Sequence, residues 1–560
     1  MGTGIAAGLL GAAGASAQVS NTPPNIPAEI KVIITLNGVT YSYPNGPTIP
    51  SYYVGFRDDG RIVFHLGALG NLSGASATAE PYHLPSHHVR IERDGVALLD
   101  ATIPEHWWNA EWTYRSKPLA AIKTPAQLVA ANRMFPFGDT GCRVTAVRDY
   151  KFAGPMDSAG ITKYMPTTGE RPDLGWVTDC SGEFMLTGNA SPMIAWAMAA
   201  GSAPIHFRDE STGKPIDLRK YPKANCYDTH NGAPYLPPGP KNANGFPAFG
   251  GGWTPDQAHF PELSYVAYMA TKDLGFLEDL QYEENFGYLF SAFNSSKTEA
   301  IPSRGQQRGL AWTLRTVFMA HVATADAEAA GALPASCLPS SYFKTLLDHA
   351  LAHDTPDLTN AANQIFQTFP AHVSATAEDF GTYVPWEQDY MVTALAFGVL
   401  TGHTDWVPVF LFALGNLISR LDGASGWPPG AGTPYFIQTC EWSGTPPKPV
   451  ATSPFTWKEA FLALGNIPVD RDSGTKPLLT AAQISALQRD PLNGGVAMIN
   501  NAYMESTRAA MVMADYLDKQ KLANVRGTYS SFGTCLTNAQ AMFKAWGQVW
   551  PKVSVISRQV

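Results

Sequence analysis

The stretch TPDQAHFPELSYVAYMATKD, Thr254 to Asp273, places Asp256, His259, Glu262, Tyr265 and Tyr268 in one helix-like run. A histidine among carboxylates and phenols is equipment for general acid–base chemistry. A second run, PWEQDYMVTALAFGVLTGH from Pro385 to His403, carries Trp386, Glu387, Asp389 and Tyr390. Acids flanked by aromatics suit a sugar subsite. Two reactions fit these residue types. In glycoside hydrolysis one carboxylic acid protonates the leaving oxygen and a second activates water, across about 6.5–9.5 Å in inverting enzymes. Asp256, Glu262, Glu387 and Asp389 are the candidates for it. In β-elimination from a uronic acid, Arg or Asn neutralises the sugar carboxylate and His or Tyr removes the C5 proton, while Tyr returns a proton to the leaving group. Here the candidates are Arg304 or Arg308, His259, and Tyr265, Tyr383 or Tyr390.

An internal repeat must position these groups. PDLGWVTDCSGEFMLTGN (172–189), PDQAHFPELSYVAYMATKD (255–273) and PWEQDYMVTALAFGVLTGH (385–403) each open on Pro and pass through an apolar segment. Each then reaches Thr followed by Gly or Lys and a polar residue, 15, 16 and 16 residues after the Pro (172 to 187, 255 to 271, 385 to 401). Pro at a first helical position is pre-set in φ and lacks only an N–H that would go unpaired. The Thr tripeptide ends one helix and caps the next. Each unit therefore reads as a helical hairpin, with second helices in SPMIAWAMAAG, LGFLEDLQYEENFGYLF and DWVPVFLFALGNLISRL. Segments 303–324 and 500–520, each with a following helix, bring the number to at least five. First helices that are apolar on every side belong inside a ring of second helices. Their N-terminal residues then meet at one rim: Asp173 and Asp179; Asp256, His259 and Glu262; Arg304 and Arg308; Trp386, Glu387 and Asp389; Asn501 and Glu505. His259 and Asp389 each stand four residues after their Pro, which makes them equivalent in the repeat.

Several of these residues also have plain structural readings. Thr254 to Gln257 matches a capping box, and Glu262 could cap the main helix. Pro261 separates a short turn from that helix and splays His259 outward. Arg304 and Arg308 could pair with Glu283 or Glu284, and Tyr265 and Tyr268 could be packing. Residues 204–217, PIHFRDESTGKPID, alternate as a strand hairpin around Ser-Thr-Gly-Lys, a surface excursion with an internal Arg–Asp pair or a cleft lip formed by His206 and Arg208.

Residues 28–120 read differently. EIKVIITL, YYVGF, RIVFHL and HHVRIER are short β-type runs, with Asp-Gly turns in RDDGR (57–61) and RDGV (93–96). They predict a β-sandwich-like domain that ends in the aromatic cluster HWWNAEWTYRS, read as the seal of a domain interface ahead of a sugar-stacking platform. The division is then 1–27 a leader and linker, 28–120 the β-domain, 121–164 a packing segment, and 165–560 the helical domain. The fold class is α+β multidomain. At fold level the hairpin repeat behind a β-rich domain resembles the (α/α) toroid of carbohydrate-active enzymes, which include inverting glycoside hydrolases and polysaccharide lyases. That resemblance implies a catalytic toroid, and a β-domain ahead of the helices is more typical of its hydrolases.

Composition narrows the function classes. Of the 560 residues 45% are hydrophobic and 15% charged, and the net charge is −8. No basic field is available for a nucleic-acid backbone. Fourteen Trp, 22 Tyr, 50 Gly and 44 Pro suit aromatic-lined clefts with long loops. The leader MGTGIAAGLLGAAGASAQVS ends in an Ala15-Ser16-Ala17 cleavage pattern without a positive n-region. It predicts a secreted or periplasmic protein with no membrane span. The cysteines, Cys142, Cys180, Cys226, Cys337, Cys440 and Cys535, are too scattered for a zinc knuckle. They stand as disulfide partners or buried thiols. DRDSG (470–474) opens like a calcium loop but lacks the remaining ligands. No H-E-x-x-H, Walker A, G-x-G-x-x-G or G-x-S-x-G occurs, so neither a metal nor a cofactor is expected. The sequence thus points to an exported polysaccharide-degrading enzyme acting on a polysaccharide or oligosaccharide. Hydrolysis stands ahead of elimination, with a non-catalytic glycan-binding or surface-assembly protein as the other class. The catalytic candidates are His259, Asp389, Glu387, Asp256 and Glu262; the substrate-binding ones are Arg304, Arg308, Trp386, Tyr390, Tyr265 and Asp173.

Overall fold

The computed structural model describes residues 27, 29–49, 52–67, 83–119, 122–137, 150–166, 174–209, 212–224, 250–290, 299–302, 306–359, 365–367, 382–434, 437–443, 448–465, 479–492 and 501–545. Asp173, Arg304, Cys142, Cys226, the leader and the DRDSG stretch lie outside them.

The N-terminal region is built from sheets. Strands β1 (Ile30–Leu36), β2 (Val39–Tyr43), β6 (His87–Arg93) and β7 (Val96–Ile103) form an antiparallel sheet in the order β2-β1-β6-β7. Its hairpins turn on Asn37-Gly38 and Asp94-Gly95, all four with positive φ, as a two-residue turn between right-twisted strands requires. Alternation sets the buried face: Val32 and Ile34 of β1 lie opposite Ile91 and Val89 of β6, and all four are buried. A second sheet, in the order β3-β4-β9, contains β3 (Tyr52–Phe56), β4 (Ile62–Leu66) and β9 (Ala110–Tyr114). The expected RDDGR turn joins β3 to β4, with the Arg57 N–H donating to the Arg61 carbonyl at 2.9 Å. Trp112 of β9 stacks on its cross-strand neighbour Phe64, with centroids 3.9 Å apart. β5 (His83–Leu84) and β8 (His106–Trp107) pair separately.

Helices follow. They are α1 (Pro125–Ala130), α2 (Asp179–Thr187), α3 (Ser191–Ala199), α4 (Tyr265–Thr271), α5 (Leu274–Leu289), α6 (Gln307–Ala329), α7 (Ser340–Asp354), α8 (Pro385–Leu400), α9 (Val407–Leu421), α10 (Trp457–Ala463), α11 (Ala481–Arg489), α12 (Asn501–Lys519), α13 (Val525–Thr528) and α14 (Phe532–Ala545). The expected pairs are present: α2 with α3, α4 with α5, α6 with α7, α8 with α9, and α12 followed by α14. The turn chemistry is as read: Gly188 ends α2 in the left-handed region, Lys272 does so for α4, and Gly402 follows α8 with φ 98°. Two of the first helices are closed off on every side. Every residue of α4 and α8 is buried; α6 packs against both α5 and α8, and α8 against α12. Gly398 of α8 permits part of this approach, because a Cβ there would sit 2.6 Å from the Phe318 ring.

Two expectations fail here. As a second helix α5 should present an outer face, yet every residue from Gly275 to Leu289 is buried. The sheet region covers it. Arg57 and Arg61 close on Glu278 of α5 at 3.0 and 2.9 Å, and His206 meets Asp279 at 3.1 Å. Residues 204–217 are not a surface hairpin. Among its described residues a bridge joins Arg208 to Pro215 and the Asp209 N–H donates to the Lys214 carbonyl, but His206 and Arg208 are buried, with Arg208 paired to Glu111 of β9. The aromatic cluster does seal the junction: the Trp107 indole donates to the Ser202 carbonyl at 2.8 Å. Cys180, Cys337, Cys440 and Cys535 are all buried, and Cys337 and Cys535 are free thiols.

Candidate functional site

The segment before α4 is not a continuous helix. Asp256 is extended, Gln257–His259 make one 3-10 turn, and α4 begins only at Tyr265. Pro261 therefore divides the run as its missing N–H requires. The capping-box reading of Thr254–Gln257 does not hold. Asp256 makes no side-chain cap bond, and its Oδ2 instead faces His259 Nδ1 in a close contact. Gln257 turns inward and pins the turn, donating to the Gly287 carbonyl at 2.9 Å and to Thr313 Oγ1 at 2.7 Å. Arg315 holds the far side, reaching the carbonyls of Gly175 at 2.6 Å and Phe260 at 3.2 Å. A rigid turn thus presents His259 and Asp256, whose side chains keep 12% and 18% exposure while their neighbours are closed off.

Helices α6 and α8 supply the rest. Arg308, on the first turn of α6, brings its guanidinium to 2.6 Å from His259 Nε2. It lies over the Trp386 ring of α8, 4.9 Å from the centroid. Its main-chain N–H donates to Glu387 Oε2 at 3.3 Å, and Gln306 donates to Glu387 Oε1 at 2.8 Å. Trp386 meets Tyr390 edge-on at 5.8 Å, and Tyr390 packs on Trp312. Asp256, His259, Arg308, Trp386, Glu387 and Tyr390 are therefore one connected cluster at the N-terminal ends of α6 and α8. Arg308 does not pair with Glu283 or Glu284; Glu283 accepts the Ser264 hydroxyl at 2.5 Å.

The other candidates are committed elsewhere. Glu262 accepts the Ser181 hydroxyl at 3.0 Å and the Val266 N–H at 3.0 Å, a helix-start role. The Tyr265 hydroxyl donates to the Arg133 carbonyl at 2.9 Å. Asp389 is fully buried and held by Arg420 and by the Thr507 hydroxyl at 2.5 Å. Glu387 and Asp389 stand two apart on a helix, so they point away from each other. The repeat equivalence of His259 and Asp389 does not carry into space: one is at an opening, the other in an ion pair between α8 and α9. Arg420 and Thr507 were not legible as its partners, because nothing local in sequence links them to it. Gln306 could have been found: Gln306–Glu387 and Gln307–Gln388 repeat the same 81-residue offset.

Burial raises the carboxyls of Glu262, Glu387 and Asp389. Charge opposes it, Arg315 beside Glu262, Arg308 beside Glu387 and Arg420 beside Asp389, without outweighing burial. Arg308 cannot lose a proton, so its contact makes His259 Nε2 an acceptor. The imidazole proton must then sit on Nδ1, towards Asp256. The tautomer follows from the partners.

Among the described residues no group of three or more His, Cys, Asp or Glu is arranged to hold a metal, and no helix is long and apolar enough to cross a membrane. Two cavities of about 230 and 220 Å³ lie apart from the cluster, one beside His321 and His403 at the opposite ends of α6 and α8, the other beside Arg115 and Asp273. No protein-family model, curated protein or solved structure matches the chain.

Proposed function

We propose that this protein cleaves a uronic-acid polysaccharide by β-elimination at the Asp256–His259–Arg308 cluster. One observation carries the reading: the partly exposed histidine has a carboxylate on Nδ1 and a guanidinium at Nε2, beside an indole. Asp256 orients the ring and stabilises the imidazolium that forms on proton uptake. Trp386 offers a stacking face for the sugar, and Arg308 the fork that a carboxylate fits. The C5 proton passes to His259 Nε2, the C4–O bond breaks as the C4–C5 double bond forms, and the leaving oxygen takes a proton from water. Hydrolysis is the weaker reading. Glu387 has the raised carboxyl that a general acid needs, but both its oxygens accept bonds from Gln306 and the Arg308 main chain. Asp389 and Glu262 are committed to structural partners, and Asp256 to His259.

The scaffold in this reading is a β-sandwich-like region ahead of an (α/α) toroid. The support is the succession of helical pairs, with the starts of α6 and α8 bonded side by side through Gln306–Glu387 and Gln307–Gln388. The Ala15-Ser16-Ala17 pattern supports export to the cell exterior or periplasm. The test is a panel of uronic and neutral polysaccharides. An unsaturated, ultraviolet-absorbing product from a uronic polymer is the expected result. Reducing ends without that absorbance would replace elimination by hydrolysis, and binding without any product would leave a glycan-binding protein.

A further inference from the structure

We propose that Arg308 is a substrate-released cap on the His259 base: its guanidinium covers Nε2 in the free protein, and only a sugar carboxylate draws it away. The idea rests on the elimination reading and adds a control to it. The lone pair that must take the C5 proton is occupied, because Arg308 donates to it at 2.6 Å. A base in that state cannot act until its donor moves.

Arg308 is built to move. Among the described residues no carboxylate forms an ion pair with its guanidinium, and Glu387 bonds the Arg308 main-chain N–H instead. Its Nε–H is buried without a partner, and leaving a buried donor unmade is unfavourable. A carboxylate would satisfy that N–H and one terminal N–H together in the bidentate geometry guanidinium favours. The guanidinium lies over Trp386 at 4.9 Å, and a ring face tolerates a cation sliding across it, since the attraction requires only proximity to the face. Among the described residues the charged groups around the imidazole are Asp256 on its own turn, Arg308 on α6 and, next to Arg308, Glu387 on α8. Of these only Arg308 opposes protonation of His259. Its withdrawal therefore uncovers the base and strengthens it in the same movement. A neutral sugar can stack on Trp386 but leaves the cap in place, so discrimination appears in kcat more than in KM.

The test uses the full chain with ¹⁵N-labelled histidine, following the His259 Nε2 resonance by NMR. Galacturonate, glucuronate and mannuronate are each compared with galactose, glucose and mannose. The expected result is that at least one uronate moves Nε2 towards its position in Arg308→Gln, that no neutral sugar does, and that Arg308→Gln no longer responds. Arg308→Lys, which keeps the charge but not the fork, should respond only partly; it also serves if the Gln variant does not fold. Unmoved Nε2 with every uronate, or equal responses to acidic and neutral sugars, overturns the cap. On a turned-over polymer, the acidic limb of kcat should lie at higher pH than that of kcat/KM in the wild type, because kcat reports the bound state and kcat/KM the free one. The separation should shrink in Arg308→Gln, where only the substrate's own charge acts; an undiminished separation there, or coincident limbs in the wild type, counts against it. Failure of the elimination reading is seen separately, as absence of unsaturated product, and leaves the NMR outcome readable.

Discussion

Glu278→Gln tests how the sheet region is fastened to the helices. Glu278 is buried on α5 and accepts from Arg57 at 3.0 and 3.1 Å, from Arg61 at 2.9 Å and from Ser336 at 2.7 Å. The substitution leaves two buried guanidiniums. Arg61 keeps Asp59 at 2.6 Å, whereas Arg57 keeps only a 3.5 Å contact with the Tyr53 hydroxyl. The loss therefore resembles the breaking of one buried ion pair, about 3–5 kcal/mol, or roughly two to three and a half orders of magnitude in the opening equilibrium. The pH dependence is specific. Burial alone would raise the Glu278 carboxyl, but Arg57 and Arg61 outweigh it and hold the group well below the usual carboxylate range. A depressed folded-state value stabilises above the unfolded value, near 4.3, and the contribution disappears as pH falls through the folded one. The difference between wild type and variant should stay constant from about pH 7 to pH 5 and shrink below about pH 4. Urea-dependent proteolysis of the sheet region reads it. A difference under about 1 kcal/mol, or one that does not change down to about pH 2, would refute the clamp.

Other substitutions probe the rest of the molecule. Asp389→Ala should lower stability by about 3–5 kcal/mol in urea unfolding, and Arg420→Met added to it should recover most of the loss; a loss below about 1 kcal/mol would place Asp389 outside the ion-pair role. Gly398→Ala gains about 1 kcal/mol of helix propensity but drives a Cβ into the Phe318 ring, an overpacking cost of about 1–3 kcal/mol. The melting temperature should therefore not rise, and a rise would contradict the close α6–α8 contact. Trp386→Ala should weaken binding of a uronate oligosaccharide by about 1–2 kcal/mol, roughly five- to thirtyfold in Kd, by calorimetry; unchanged affinity would remove Trp386 from the site.

Local chemistry made much of the fold legible. The Asp94-Gly95 and RDDGR turns, the Pro-led helices and the Thr–Gly stops act within a few residues, so sequence spacing reveals them. Pro261 likewise separated the His259 turn from α4, as read. What was illegible depends on partners distant in the chain. The burial of α5 follows from cations 217 and 221 residues away. His206 and Arg208 looked like a surface hairpin until Asp279 and Glu111 closed on them. Asp389 matched His259 by count, but Arg420 and Thr507 decide its surroundings. A repeat fixes position along a helix; which face meets a cleft is settled by the neighbouring helix.

The central claim is that His259 removes a proton from an acidic sugar. The most direct measurement is the formation of unsaturated product from a uronic polysaccharide by wild type and by His259→Ala, with folding of the variant verified by circular dichroism. The wild type should form it, and the variant should be slower by about 10²–10⁴-fold, the range for a lost general base. An equal rate in the folded variant would contradict the account.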